Sequence, residues 1–531
     1  MIVELKELKQ LYGLGEFNQV FQLASGLQSK NDIKITEQTL TDELVDLLYL
    51  KLSSKFKLNY TDEVLSEVNK YLTFTNLTAL AKLKFFVIKL QALTDNGTFN
   101  DALEIIRQAD LELDNIKKLD SDDELLIALY LHSKGSLFFY RGELDQAIYN
   151  FKKALLIREN YHDTQGTSDT INNMGMVYQS LGEFEMATKC YLECISLDQS
   201  LNFEKGISYS LNNLGFISLQ IGEIEEAYNY FIQTYNLVRK ISEISPITEN
   251  QSEIDYNLVE IILKNIEDNK FIGELFCNLG NTLYKLENIE QSLYYYTKAL
   301  YVYQKTNNVT LLSDLFVQLI TINLDINKFD QVKIYLDMLD KINASESKTI
   351  QLRSNFVHAL VDNTTKMRFE GKYKALKAFN EIINNEIIDW NISIKTMTIL
   401  SELLVEEFMI FENPEIVIEA KSIIDKMHTI AKDKKSYSLL VETYILKTKF
   451  AVIEGNLDKG LLYLDQAYFT SIEKNLATLT TKVKNEHAKL EADYQSWKDF
   501  LKTSSMKERL EKIEMIDYMN KIKNALTVFR D

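Results

Sequence analysis

From Leu129 to Ile241 apolar side chains return at steps of three and four, pause at a polar turn and resume; then the whole pattern starts again. Three segments carry it: LYLHSKGSLFFYRGELDQAIYNFKKAL, INNMGMVYQSLGEFEMATKCYLECI and SLNNLGFISLQIGEIEEAYNYFIQTY. Their turn glycines, Gly142, Gly182 and Gly222, stand 40 residues apart. Steps of three and four predict amphipathic helices. A fixed period of this length predicts a stack of like units, each burying its apolar face against its neighbours. Around Gly182, Ile171, Met174 and Tyr178 share a face of one helix, and Phe184, Ala187 and Tyr191 a face of the next. The turn glycine permits the positive φ that ends the first helix. Small residues at Gly175 and Ala187 let the paired helices approach; overpacking there costs about 1–3 kcal/mol.

The same cadence extends outward. Upstream turns fall at Gly15, Asn59 and Gly97, and downstream turns at Glu287, Asn327, Gly371, near Pro414 and at Gly455. Eleven helical hairpins are expected. Residues 1–125 hold divergent hairpins, 126–241 well-formed ones and 272–475 further ones. Residues 242–271 break the period. They contain Pro246 and the polar run SPITENQSEID, followed by IDYNLVEIILKNIED, which suits an extra helix. Such an insertion is either a surface excursion or a lid over a binding face. Residues 476–531 predict two more helices, near Leu476–Leu501 and Met506–Phe529. The second carries a stripe of Leu510, Ile513, Ile516, Met519, Ile522, Leu526 and Phe529, which wants burial either as an end cap or in a homodimer.

In stacked hairpins the first helices line the concave side. Offsets of −13, −10, −6 and −3 from each turn lie opposite the apolar stripe and therefore face the groove. They select Leu129, His132, Ser136 and Phe139, then Asp169, Asn172, Met176 and Gln179, then Tyr209, Asn212, Phe216 and Leu219. Beyond the insertion they select Glu274, Cys277, Asn281 and Tyr284. None of these is Lys or Arg. Aromatic and Met side chains offer adaptable apolar contact, and Asn bonds both N–H and C=O of an extended chain. The expected ligand is a protein or peptide segment, neutral to basic in character. Asn172 and Asn212 also suit a plainer role, bracing neighbouring repeats.

These motifs resemble the tetratricopeptide repeat (TPR): N-x-G-x-x-Y at Asn173, Gly175 and Tyr178, then Gly182, Ala187 and Tyr191. The next unit gives Asn213, Gly215, Gly222, Ala227 and Phe231, and a later one Asn278, Gly280, Leu283 and Ala299. The 40-residue length resembles the long subtype of kinesin light chains and LGN/Pins adaptors. The resemblance implies an all-α fold, a right-handed α-α superhelix, and a non-enzymatic scaffold that binds partners in its groove. It departs from the family in lacking the proline that usually closes each repeat. TPR co-chaperones hold acidic tails with basic groove residues, and that clamp is absent here. A peptide-sensing regulatory receptor of TPR type is the alternative.

Composition narrows the classes. The net charge is −18, which opposes nucleic-acid binding, because phosphate contacts need Lys and Arg. The one compact basic run, Lys432–Lys435, is interrupted by Asp433. No apolar run approaches the roughly 18 residues that span a bilayer, and MIVELKELKQ carries charges where a signal peptide needs an apolar stretch, so none is expected there. A cytoplasmic location is expected, with no membrane partner. Three cysteines make no disulfide framework. Cys190 and Cys194 fall on one helix, where packing outweighs metal ligation. Scattered histidines and the absence of a phosphate loop leave no cofactor, metal or catalytic residue to expect.

Overall fold

The computed structural model describes residues 2–519 except 14–16, 31–34, 36–39, 59, 117–119, 245–255, 267, 307, 343–346, 366–369, 385–389, 434 and 493. Among the described residues all regular structure is helical. Eleven consecutive pairs form: α1 (Ile2–Gly13) with α2 (Phe17–Lys30), α3 (Asp42–Lys57) with α4 (Thr61–Leu72), α5 (Ala79–Asp95) with α6 (Phe99–Leu113), α7 (Ser121–Tyr140) with α8 (Leu144–Asn160), α9 (Thr164–Ser180) with α10 (Phe184–Ser200), α11 (Glu204–Ile221) with α12 (Ile224–Ile241), then, after the single helix α13 (Tyr256–Ile266), α14 (Asn269–Lys285) with α15 (Ile289–Lys305), α16 (Val309–Asp325) with α17 (Phe329–Ile342), α18 (Lys348–Thr365) with α19 (Glu370–Asn384), α20 (Trp390–Phe411) with α21 (Pro414–Asp433), and α22 (Tyr437–Ile453) with α23 (Leu457–Glu473). Helices α24 (Ala477–Glu491), α25 (Tyr494–Thr503) and α26 (Met506–Lys512) follow. This is an all-α solenoid of stacked helical hairpins.

The repeat-defining positions behave as their chemistry requires. Gly142, Gly182 and Gly222 adopt φ of 77°, 71° and 88°. A Cβ at Gly175 would lie 2.7 Å from the Tyr191 ring, and one at Gly215 2.7 Å from Phe231. In these two pairs the second helix therefore lays an aromatic ring directly on the backbone of the first. Where the family uses proline to close a unit, this chain uses a residue in the left-handed conformation: His162, Asn202 and Glu243, with φ of 55°, 54° and 56°.

Three expectations are corrected. Gly371 lies inside α19 rather than at a turn. The helix expected over 476–501 is two, α24 and α25. The helix expected over 506–529 stops at Lys512, and Glu514 takes φ of 50°, which a continuous helix does not allow. Leu510, Ile513 and Met519 from its stripe are buried within the chain. Gly15, Asn59, Pro246, Ile522, Leu526 and Phe529 lie outside the described residues. Within the insertion, α13 buries Val259, Ile262, Leu263 and Ile266 against α12, α14 and α15.

The chain divides into two compact units, residues 1–181 with 189–203, and residues 182–188 with 204–531. In the first unit, the interior is built in three apolar clusters, around Leu48 and Val64, around Val87 and Ile105, and around Phe151 and Ile171. The second has one continuous core from Phe216 to Met519.

Candidate functional site

In the first unit α7 and α9 are joined by a polar ladder. His132 is held on three sides. Its Nδ1 lies 3.3 Å from Thr170 Oγ1, its Nε2 lies 3.1 Å from Asn173 Nδ2, and its ring meets Phe151 edge-on at 5.4 Å. Thr170 spends its only hydroxyl proton on the Gly166 carbonyl (2.8 Å) and accepts from Arg158 Nη1. It must therefore accept from His132 Nδ1–H as well, leaving Nε2 to accept from Asn173. That fixes the imidazole as neutral. Burial first, then the charges of Arg158 and Lys57, hold its pKa well below the usual range, in agreement. Asn173 Nδ2 also donates to Ser136 Oγ (3.4 Å), so one amide ties α7 to α9.

Around this tie, Asp169 is exposed, and Asn172, Met176, Gln179, Phe139 and Ser136 are half-buried. Gln179 Oε1 accepts from Tyr191 Oη at 3.1 Å. Crowding by neighbouring elements raises the Asp169 pKa, against the pull of Arg158 and Lys57. The same offsets applied at Asn59 and Gly97 reach residues that the sequence analysis did not name: Asp46, Tyr49 and Ser53 on α3, and Lys84 and Gln91 on α5. Lys84 pairs with Asp46, and Gln91 Nε2 donates to Ser133 Oγ at 3.0 Å. Tyr12 on α1 hydrogen-bonds Ser53, and burial pushes its hydroxyl up to about 12. The signal for these was the repeat register itself, carried two turns further upstream.

In the second unit the selected residues are half-buried or buried. Tyr209 Oη donates to Asp268 Oδ2 (2.8 Å) and its ring meets Phe271 at 4.5 Å. Asn281 Oδ1 accepts from Tyr296 Oη at 2.7 Å, and Tyr284 Oη donates to Asp325. Asn212, Phe216 and Leu219 are buried, with exposures of 1, 4 and 4%. Asn212 Oδ1 accepts from Asn278 Nδ2 at 3.3 Å, the bracing role. Helix α24 packs against α11, and Ser438 Oγ donates to the Gln220 carbonyl at 2.7 Å, so the late helices of this unit return to its first one. Lys285, which the offsets pass over, has a pKa lowered to about 8 by burial and by Lys395.

Two tetratricopeptide-repeat family models match, over residues 125–200 and 275–310. The chain carries tetratricopeptide repeats. The matched stretches span most of α7 to α10 and of α14 to α15, and Asn173 of the first stretch lies on the ladder just described. No curated protein matches the sequence. Solved structures with a similar fold include a Rap protein complexed with competence and sporulation factor, at 12% identity over 72% of this chain and 96% of that one, TM-score 0.49. The quorum sensor NprR from B. thuringiensis in its apo form gives 12% identity over 83% and 97%, TM-score 0.41. BtubC from P. vanneervenii gives 17% over 48% and 92%, TM-score 0.34.

Cys190 and Cys194 pack inside the TPR hairpin. Cys194 Sγ lies 3.3 Å from the Ser168 carbonyl oxygen, and burial pushes the two thiols up to about 11 and about 12, far from thiolate chemistry. Among the described residues no group of His, Cys, Asp and Glu side chains could hold a metal ion. Among the same residues no helix is long and apolar enough to cross a membrane.

Proposed function

We propose that the chain is a non-enzymatic TPR scaffold whose concave face receives an extended or helical segment of another protein, neutral to basic in character. The observation that carries this is the ladder of the first unit. Asp169, Asn172, Met176 and Gln179 stand open or half-open on a helix whose register is locked by Asn173, His132 and Ser136. Preorganised amide and aromatic groups lose little freedom when a chain docks, which is how modest contacts, each worth about 0.5–1.5 kcal/mol, accumulate into binding. The net charge of −18 favours encounter with a basic partner.

The test is a chain with Asn172, Met176 and Gln179 all changed to alanine. Partner recovery in a pull-down falls at least tenfold while the melting temperature stays near that of the wild type; unchanged recovery from a folded variant contradicts the reading. Titration with short free peptides against the intact partner separates a scaffold from a peptide-sensing receptor. Light scattering on the purified chain reports whether a homodimer forms.

A further inference from the structure

Asp169 on α9 is exposed to water and yet crowded by neighbouring elements of the first unit. A side chain is both when it stands in a cleft and not on an open face. The charges that reach it are Arg158 and Lys57 of one sign and Asp163 of the other. Tyr12 on α1 lies within electrostatic reach of Asp169, and Tyr49 on α3 within reach of Arg158. Both tyrosines are half-buried, so α1 and α3 bring aromatic walls to a space that α8 and α9 line with charge.

Arg158 enters this space from α8 with its donors only partly used. It is 4% exposed. Nη1 donates to the Gly166 carbonyl and to Thr170 Oγ1. Nε is buried without a hydrogen-bond acceptor, 3.6 Å from Asp163 Oδ2, and Nη2 donates to no described residue. A guanidinium carries five N–H donors, and a buried donor left unmet costs free energy. Opposite it, Asp169 Oδ1 accepts from Gln165 Nε2 at 3.3 Å, and among the described residues it forms no ion pair. Arg158 and Asp169 thus feel each other across a gap. His132 offers nothing to that gap, since Thr170 and Asn173 engage both of its ring nitrogens.

Arg158 and Lys57 together offset Asp163 and Asp169, so these charges give no preference to an ion. What fits between a donor and an acceptor is a neutral group that has one of each, and an amide is such a group. We propose that the cleft binds a backbone amide of an extended peptide segment, whose C=O accepts from Arg158 and whose N–H donates to Asp169. The flanking side chains lie against Tyr12 and Tyr49, whose rings supply contact area. A helical segment has its N–H and C=O groups spent along its own axis; an extended one has them free for recognition through the main chain. This rests on the scaffold reading above and narrows its ligand to an extended chain.

The full-length chain is used to select binders from a displayed random peptide library, and the tightest is resynthesised with one backbone amide N-methylated at a time. The expected result is a single position where methylation weakens binding to the wild-type chain about tenfold or more, the loss of a hydrogen bond to a charged group. Against Asp169→Ala, an exposed position whose change leaves the fold intact, the same methylation has no effect, because the acceptor is gone. Binding that tolerates every methylation overturns the proposal, as does a methylation penalty that persists in Asp169→Ala. A penalty that follows the replacement of an Asn or Gln side chain of the peptide, and not its backbone, overturns it too. A library that yields no binder removes the scaffold reading as well, whereas binders indifferent to Asp169→Ala remove this inference alone.

Discussion

Single residues show where this chain accepts a cost. Glu287 holds the turn position that Gly142, Gly182 and Gly222 occupy elsewhere, at φ of 58°. A residue with a Cβ is strained there by about 1–2 kcal/mol. Glu287→Gly is therefore expected to stabilise the chain by roughly 1 kcal/mol, allowing for glycine's greater freedom when unfolded, and chemical denaturation reads the gain. Asp198 is a second case. It is 2% exposed, and burial raises its pKa to about 6, against a hydrogen bond from Ser168. The folded state thus holds this proton more tightly than the unfolded state, so the contribution of this group is greatest at low pH and is lost as pH rises through about 6. Asp198→Asn should raise the melting temperature at pH 7.5 by an amount equivalent to roughly 1–3 kcal/mol, and the difference should vanish near pH 4. Neither cost is visible in the sequence alone. Glu287 reads there as an ordinary turn residue, and the burial of Asp198 depends on α9 lying over it.

Pairs of helices carry the fold's register, and this scale was the most legible. Gly175 and Tyr191 are 16 residues apart in a fixed pattern, and their contact follows from it. Gly175→Ala drives a Cβ into the Tyr191 ring at 2.7 Å and is expected to cost about 1–3 kcal/mol. The same substitution in a Tyr191→Leu background should cost less, which a double-mutant cycle by denaturation would measure. Lys298 was not legible. It is fully buried on α15, where Nζ donates to Tyr235 Oη at 3.0 Å and sits 4.5 Å from the Tyr294 ring centre. A lysine in an aromatic run reads as a solvated face. Its burial follows from α12 and α14 closing over it with Tyr235 and Phe276. Lys298→Ala leaves that cavity empty and should cost about 2–5 kcal/mol, the range for large-to-small core changes. Lys298→Met fills it without a charge and should be near neutral or stabilising.

At the scale of each unit, the repeat period selected first-helix positions but not how deeply each is buried. On α9 the chosen offsets are exposed, as at Asp169, or half-buried, as at Asn172. On α11 the equivalent Asn212 and Phe216 are covered; Asn212 meets Asn278 of α14, and α24 and Ser438, more than 200 residues later, come back to the same helix. No local pattern encodes such a return. It also gives Gly182 a second duty, since a Cβ there would meet the Tyr437 ring at 2.5 Å, beside the Lys474–Glu183 ion pair at 3.1 Å. The central claim is that binding happens on the first-helix side. Site-specific photo-crosslinking tests it most directly, with the reactive side chain placed either at Met176 on the ladder or at Leu156, a 61% exposed second-helix position. The account predicts partner capture from Met176 and none from Leu156. Capture from Leu156 with none from Met176 would contradict it.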